Sequence, residues 1–477
     1  MPKPIVSENP APAPRVDHDP YTELLNQAAA LSHRYLQSMP ERHVGVTQGA
    51  LDNLAKLAGP LPAQGLDPNA TLQLLDEIGS PATVASAGGR FFGGVDGGAL
   101  PVTVAANWLA AAWDQNACLF DLSPVAAYLE DVVLGWLVSI FGLPPGCGGA
   151  FVTGTQMADV TCLAAARSAV LHHVGWDVES QGLFGAPPIT VFAGEERHST
   201  MMKAFALLGL GRDRVLFLPT DSQGRLQPAT IPQLVSSTGP LILCAQVGNV
   251  NTGAFDPIRE ICEITRAHNK NAWIHVDGAF GLWAAASPVR KHLVDGLDLA
   301  DSWATDGHKY LNVPYDSGIA IVRDAAALRR AMFIAAAYYP DPAGKREPMQ
   351  WGPESSRRAR VVEIWAALRT LGADGIADLI ERTCTHAATF AKTFREAGFE
   401  VLNDVVLNQV LVSFGDDDAT NRVIATVQAE GTCWCGGTTW KGRRAMRISV
   451  SSWATTAADV DRSSRAILSL ASKETRK

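Results

Sequence analysis

Beyond Gly148 the chain alternates in a way that leaves few folds open. Short β-rich apolar runs, "ITVFAG", "RVLFLP", "LILCAQVG", "AWIHVDG", "DSWATDG" and "GIAIVRD", are interspersed with segments of helical periodicity such as "MADVTCLAAARSAVLHHV" and "IREICEITRAHN". Strands that alternate with helices signal an α/β domain on a mainly parallel sheet, with helices covering its faces. Open sheets of this kind bind ligands beyond the C-terminal ends of their strands. The polar residues at those strand ends are therefore the place to look for chemistry.

The flanks differ. From Tyr21 to about Ala87, apolar residues recur at helical spacing ("YTELLNQAAALSHRYL", "ATLQLLDEIG") between Pro and Gly breaks. Helices continue through "PVTVAANWLAAAWDQN" and "VAAYLEDVVLGWLVSIFG", the latter preceded by the helix-start pair Ser123-Pro124. After about Ser356 a long helix, "RRARVVEIWAALRTLG", leads into a smaller α+β region with strand candidates "NQVLVSF" and "AMRISVSS". With 477 residues the chain exceeds a single core. The expected division is 1–87, a Pro-rich arm and helical segment; 88–356, the large α/β domain; and 357–477, a small α+β domain.

Charge and composition narrow the partners. A net charge of -8 opposes binding to nucleic acid or an anionic membrane surface. The stretch "VVLGWLVSIFGLP" is too short to span a bilayer, and the N-terminus lacks the apolar core of a signal peptide, so a cytoplasmic protein is expected. The eight cysteines are scattered, and only Cys433 and Cys435 sit close together. Without a second pair or a nearby histidine they read as buried free thiols, and no metal is expected.

Four strand ends carry polar residues of different kinds. "FVTGTQMAD" is a Gly/Thr turn opening a helix, where free N–H groups and the helix dipole favour an anion. His198 follows a strand in "ERHSTMMKAF", Asp277 ends the very apolar "AWIHVD", and Lys309 lies in "TDGHKY". Each alone has a structural explanation: an N-cap, a hydrogen-bonding histidine, a paired carboxylate. Together and in this order they match the needs of pyridoxal 5'-phosphate. Lys309 would form the Schiff base, sharing its charge with the cofactor and so relieving the cost of burial. Asp277 would keep the ring nitrogen protonated, and His198 would stack on the ring. Gly154, Thr155 and Gln156, with His308, would hold the phosphate.

The sequence resembles the group II pyridoxal-dependent decarboxylases, which include the aromatic-L-amino-acid and glutamate decarboxylases. The resemblance runs from about Gly89 to Thr456 through "GRFFGG", "SPVAAYLEDVVLGWL", "HSTMMKAFALLGLG", "GAFDPI", "HVDGAFG", "ADSWATDGHKYLNVPYDSG", "SRRARVVEIWAALRTLGADG" and "MRISVSSWATT". It implies an aspartate-aminotransferase-like fold with a seven-stranded, mainly parallel sheet, and a homodimer with its active site at the subunit interface. It assigns the Schiff base to Lys309, the ring nitrogen to Asp277, the stacking position to His198 and the small residue under the ring to Ala279. Asn249, Asp306 and His308 join the implied cofactor contacts. Departures are Gln156 where a hydroxyl is common, Met157 where Glu is common, Asn249 where Thr is frequent, and Gly307 where Pro is usual.

The implied activity is decarboxylation of an L-amino acid to its amine and CO2. A carbon–carbon lyase and an aldehyde synthase on the same scaffold stay open as alternatives. In the family a loop tyrosine protonates the carbanion. The matching stretch "AAYYPDPAGKREPMQWGPE" holds Tyr338 and Tyr339, and Tyr339 is the expected donor because it borders the Pro/Gly-broken part. Alignment on "SRRAR" instead puts the family position near Pro348. Phe91, Phe92 and Trp113 are candidates for the substrate pocket or for core, and Arg357, Arg358 and Arg447 for a substrate carboxylate or for structural pairing.

Overall fold

The structure is a computed structural model that describes residues 19, 21–234, 238–335 and 344–474. Two compact units divide at Ala85 and Ser86. The first holds helices Thr22–Ser38, Gln48–Asn53 and Pro68–Gly79. Asp67 caps the third, accepting from Ala70 N–H at 3.0 Å with Pro68 at the first helical position, where a missing N–H costs nothing. Polar ties join the first and third helices: Gln27 donates to the Asn69 carbonyl at 3.0 Å, and Asn69 to Glu23 at 2.7 Å. Within this unit the first helix buries none of its residues.

The second unit is built on two sheets. Its strands in chain order are β1 (Phe91–Phe92), β2 (Gly148–Val152), β3 (Thr190–Gly194), β4 (Val215–Leu218), β5 (Leu241–Gln246), β6 (Trp273–Asp277), β7 (Ser302–Asp306) and β8 (Gly318–Val322), followed by β9 (Glu400–Val401), β10 (Gln409–Ser413), β11 (Trp434–Trp440) and β12 (Arg443–Ser449). The large sheet has seven strands in the order β2-β8-β7-β6-β5-β3-β4. Pairings are parallel from β4 to β7, and β8 runs antiparallel to both β7 and β2. All six quoted runs are strands, and the mainly parallel seven-stranded sheet agrees with the expected fold class.

Side chains alternate across this sheet. Phe192, Leu243, Ile274, Val276, Trp303, Ile319 and Ile321 enter one core with Leu137, Phe141 and Trp283. Val191, Ala193, Ile242, Cys244, Trp273, Ala304 and Ala320 enter the other. There they meet the helix Thr155–His172, whose buried Ala158, Ala164, Ala165, Ala166 and Ala169 let it lie close to the strands.

The small sheet runs β1-β11-β12-β10-β9, antiparallel except for the parallel pairing of β1 with β11. Phe92, Phe390, Phe394 and Phe414 fill its core with Cys433 and Cys435. The long helix Val361–Glu396 is two helices meeting at Gly372, whose φ of 62° suits a residue without a side chain. β2 and β11 escape a reading by composition, because "GGAFV" and "WCGGTTW" each carry two glycines, which lower strand propensity.

Candidate active site

The C-terminal ends of β6 and β7 and the N-terminus of helix Thr155–His172 converge through the sheet order. Register sets Asp277 opposite Gln246 on one side and Ala304 on the other, and Asp306 opposite Gly318. Past Asp306 the chain leaves the sheet in a turn carrying His308 and Lys309. Asn312, with φ of 57°, closes that turn: its side-chain amide donates to the carbonyls of Lys309, Tyr310 and Ser451 at 3.1, 2.9 and 3.1 Å. Asparagine tolerates this left-handed backbone better than most residues.

Lys309 Nζ lies 3.0 Å from Asp306 Oδ2, and the Asp306 side chain is almost fully buried. The other Asp306 oxygen accepts from Thr155 N–H at 2.6 Å, so one carboxylate joins the lysine to the first turn of the helix. His308 Nε2 lies 3.5 Å from Asp306 Oδ2, while its Nδ1 accepts from Ser317 N–H at 3.1 Å. Burial lowers the His308 pKa, with Asp306 opposing. Two buried hydroxyls in this corner, Thr155 Oγ1 and Ser317 Oγ, have no hydrogen-bond partner among the described residues. Gly318 packs on the Gly154 backbone so closely that an added Cβ would stand 2.4 Å from it.

Asp277 is buried and accepts from Ala279 N–H at 3.1 Å. Burial raises its pKa, and the charges of His198 and Lys309 pull it back. His198 caps helix Ser199–Leu207 through Nδ1, 3.3 Å from Thr200 N and 2.7 Å from Thr200 Oγ1. Desolvation lowers its pKa against the pull of Asp277, which favours a neutral imidazole. Ala279 is tied to the same corner, its carbonyl accepting from Asp306 N–H at 3.0 Å.

The structure thus gathers Lys309, Asp306, His308, Gly154 and Thr155 by direct contact, and couples Asp277 and His198 to the lysine electrostatically. Gln156 follows in the helix, part-buried. Asn249 is spent on its own turn, donating to the Glu196 carbonyl and Gln246 and accepting from the N–H groups of Asn251 and Thr252. Tyr338 and Tyr339 lie outside the described residues. Phe92 is core, and Phe91 is buried with its ring stacked 5.3 Å from Trp434, whereas Trp113 is exposed. Arg357 is a structural cation, buried against Glu130, which also receives Arg346 Nε at 2.9 Å. Arg358 pairs with Glu363 at 3.1 Å. Arg447, on β12, makes, among the described residues, long contacts of 3.5 Å to the Val250 and Gly94 carbonyls.

Several neighbours carry no local signal of their role. Tyr315 stacks on His308 with ring centres 4.1 Å apart and donates its hydroxyl to Asp96. Asp159, one turn into the helix, reaches His275 on β6 at 3.1 Å. "FVTGTQMAD" and "AWIHVDG" contain both residues, yet nothing in either stretch shows that they meet.

The chain matches the pyridoxal-dependent decarboxylase conserved domain over residues 85–415. It belongs to that family. Among curated relatives, an acidic amino acid decarboxylase from Xenopus tropicalis is 29% identical over 324 residues, covering 66% of this chain and 62% of the relative. An L-2,4-diaminobutyrate decarboxylase from Rhizobium meliloti (strain 1021) is 32% identical, covering 62% and 60%. The match thus spans about three fifths of these relatives' length. Among solved structures, Oryza sativa TDC with PLP and tryptamine superposes with a TM-score of 0.88 at 22% identity, covering 97% of this chain and 99% of that one. The fold is the one those enzymes share.

Pyridoxal 5'-phosphate is the cofactor that membership implies, and the residues present fit it. Thr155 Oγ1 and Ser317 Oγ, hydroxyls without a partner among the described residues, sit beside the N-terminus of helix Thr155–His172, the positive end of its dipole, which favours a phosphate. The amine of Lys309 and the buried carboxylate of Asp277 supply two more of the requirements.

Proposed function

We propose that this protein decarboxylates an L-amino acid to its amine and CO2 with pyridoxal 5'-phosphate. The observation that carries the reading is Lys309 Nζ, 3.0 Å from Asp306, at the strand end beside the one that carries buried Asp277. When bound, the cofactor supplies an electron-poor ring that takes up the electron pair left on the substrate's α-carbon as CO2 departs. Lys309 is the amine that would anchor its carbonyl carbon and, once released, carry a proton. Asp277 would face the ring nitrogen and hold positive charge there, the electrostatic device that lowers the barrier. His198, as a neutral plane, would lie against the ring face, with Ala279 on the other side. Gly154, Thr155, Gln156, Ser317 and His308 would hold the phosphate, with Asp306 positioning Thr155 and His308. The half-buried Arg447, with its long contacts, is available for a substrate carboxylate.

A homodimer is part of this reading. Trp108, Leu109 and Trp113 stand exposed on helix Pro101–Trp113, as do Val125 and Tyr128 on helix Pro124–Ile140. In the N-terminal unit Leu25, Leu36, Leu51, Leu54, Leu57 and Leu75 are exposed as well. Exposed apolar surface on this scale marks an association site. A cytoplasmic location is consistent with eight cysteines that are all free. Among the described residues no helix is long and apolar enough to cross a membrane.

The test is CO2 release from the natural L-amino acids and L-2,4-diaminobutyrate, using protein loaded with pyridoxal phosphate and Lys309→Ala as control. At least one acidic, aromatic or diamino substrate should release CO2, and the control should neither do so nor develop the visible cofactor band. A normal band without CO2 from any substrate would overturn the reading.

A further inference from the structure

Behind Asp277, on the same face of β6, lies a buried polar chain. His275 is two residues earlier in the strand and wholly buried. Its Nδ1 is 2.9 Å from Ser302 Oγ, which also accepts from Trp273 Nε1–H at 2.9 Å. Its Nε2 is 3.1 Å from Asp159 Oδ1, and the second oxygen of Asp159 has no partner among the described residues. Asp159 is 0% exposed.

Burial lowers the His275 pKa to about 3, and with a neutral ring the donors and acceptors give two main arrangements. In one, Ser302 O–H donates to Nδ1 and Nε2–H donates to an ionised Asp159. That leaves a charged carboxylate with one bare oxygen in a dry site, near the carboxylates of Asp277 and Asp306, with Lys309 as the attractive cation. In the other, Asp159 carries a proton and donates it to Nε2, while Nδ1–H donates to Ser302. Ser302 O–H is then free for Cys162 Sγ, which lies beside it and also approaches the Trp303 carbonyl at 3.5 Å. The bare oxygen then belongs to a neutral acid, where burial costs far less. The groups facing this pair are Asp277 from its own strand, Cys244 from β5, Asp306 and Lys309 from the end of β7, and Cys162 from the helix. Three carboxylates and one lysine cannot all be charged there cheaply. Asp159, the most deeply buried of the three and the one with a bare buried oxygen, is the one to carry the proton.

We propose that Asp159 is a positioning residue, a neutral carboxylic acid that donates a hydrogen bond to His275 Nε2 and leaves Asp277 as the charged group facing the cofactor. The proposal rests on the assignment of Asp277 to the ring nitrogen, but its test does not pass through turnover. Full-length protein labelled with ¹⁵N-histidine is examined by NMR before and after addition of pyridoxal phosphate, His275 being identified by the signal that His275→Asn removes. A neutral ring protonated at Nδ1 is expected in both states. Infrared difference spectra of wild type against Asp159→Asn should show the carboxylic-acid carbonyl band of one buried acid. Asp159→Asn should keep the His275 tautomer, because its amide N–H replaces the acid O–H. Asp159→Leu should lose the hydrogen-bond shift at Nε2 and weaken cofactor binding by up to about tenfold, the effect of one lost neutral hydrogen bond. An imidazolium or an Nε2-protonated ring in wild type, or no acid band lost in Asp159→Asn, overturns the proposal. A native His275 signature in protein that releases no CO2 would instead count against the decarboxylase reading alone.

Discussion

At the scale of single residues, burial decides which charges the site can keep. Lys309 avoids the penalty of an isolated ammonium by lying against Asp306, which has its own backbone donor in Thr155. Asp256 is the opposite case. It accepts from the N–H groups of Leu226 and Gln246 at 2.7 Å each, but among the described residues no cation pairs with it, and desolvation pushes its pKa from 3.8 up to about 7. An acid that holds its proton more tightly when folded stabilises the fold below its unfolded pKa and loses that contribution as pH rises toward the folded one. Wild-type stability in urea should therefore fall between about pH 4 and pH 7, by up to about 4 kcal/mol at ~1.4 kcal/mol per pKa unit. Asp256→Asn should start about 1–2 kcal/mol less stable, since its amide opposes a backbone donor, and then show a flatter profile across that window. Parallel profiles for the two proteins would contradict the assignment.

At the scale of elements, the approach of β8 to the helix N-terminus is as tight as backbone allows. Gly318 fits against Gly154 only because neither bears a side chain; a Cβ at 318 would lie 2.4 Å from the Gly154 backbone. Gly318→Ala should push the first turn of helix Thr155–His172 away from the turn that carries His308. Overpacking of this kind costs about 1–3 kcal/mol. Phosphate contacts should suffer more than the fold, with pyridoxal phosphate affinity falling at least about tenfold, equivalent to ~1.4 kcal/mol. Thermal unfolding and a cofactor titration on the same samples separate the two effects, and unchanged affinity would show that this turn does not hold the phosphate. A second junction, Glu130 between Arg346 and Arg357, ties helix Pro124–Ile140 to the segment before helix Val361–Glu396. Arg357 there belongs to the scaffold.

For the whole molecule, the exposed leucines of the N-terminal unit and the exposed tryptophans of helix Pro101–Trp113 predict association. Multi-angle light scattering should give twice the chain mass of 50.8 kDa at assay concentration. Replacing Trp108 and Leu109 together with Glu should shift the population toward monomer and lower CO2 release in proportion, as unsatisfied charge in an apolar interface must. A fully active monomer would refute both the dimer and the placing of the site at its interface.

What could be read from the residue order was what depends on neighbours along the chain. Strand and helix periodicity in 148–324 is local, so the large sheet and its mainly parallel character were legible, as were the lysine and the acid at strand ends. Glycine-rich β2 and β11 were not, because pairing rather than composition makes them strands. The site's finer chemistry depends on which strands lie side by side. β8 enters between β2 and β7, and only that order brings Gly318 onto Gly154 and Ser317 beside His308. Asp159 meets His275 across 116 residues, Asp96 meets Tyr315 across 219, and Arg357 finds Glu130 rather than a substrate. Long-range partners decide the charge a buried group can hold, and partners are a property of the folded sheet. The residues capable of the chemistry could therefore be named from the chain alone, but their protonation and the positioning role of Asp159 rest on the tertiary structure.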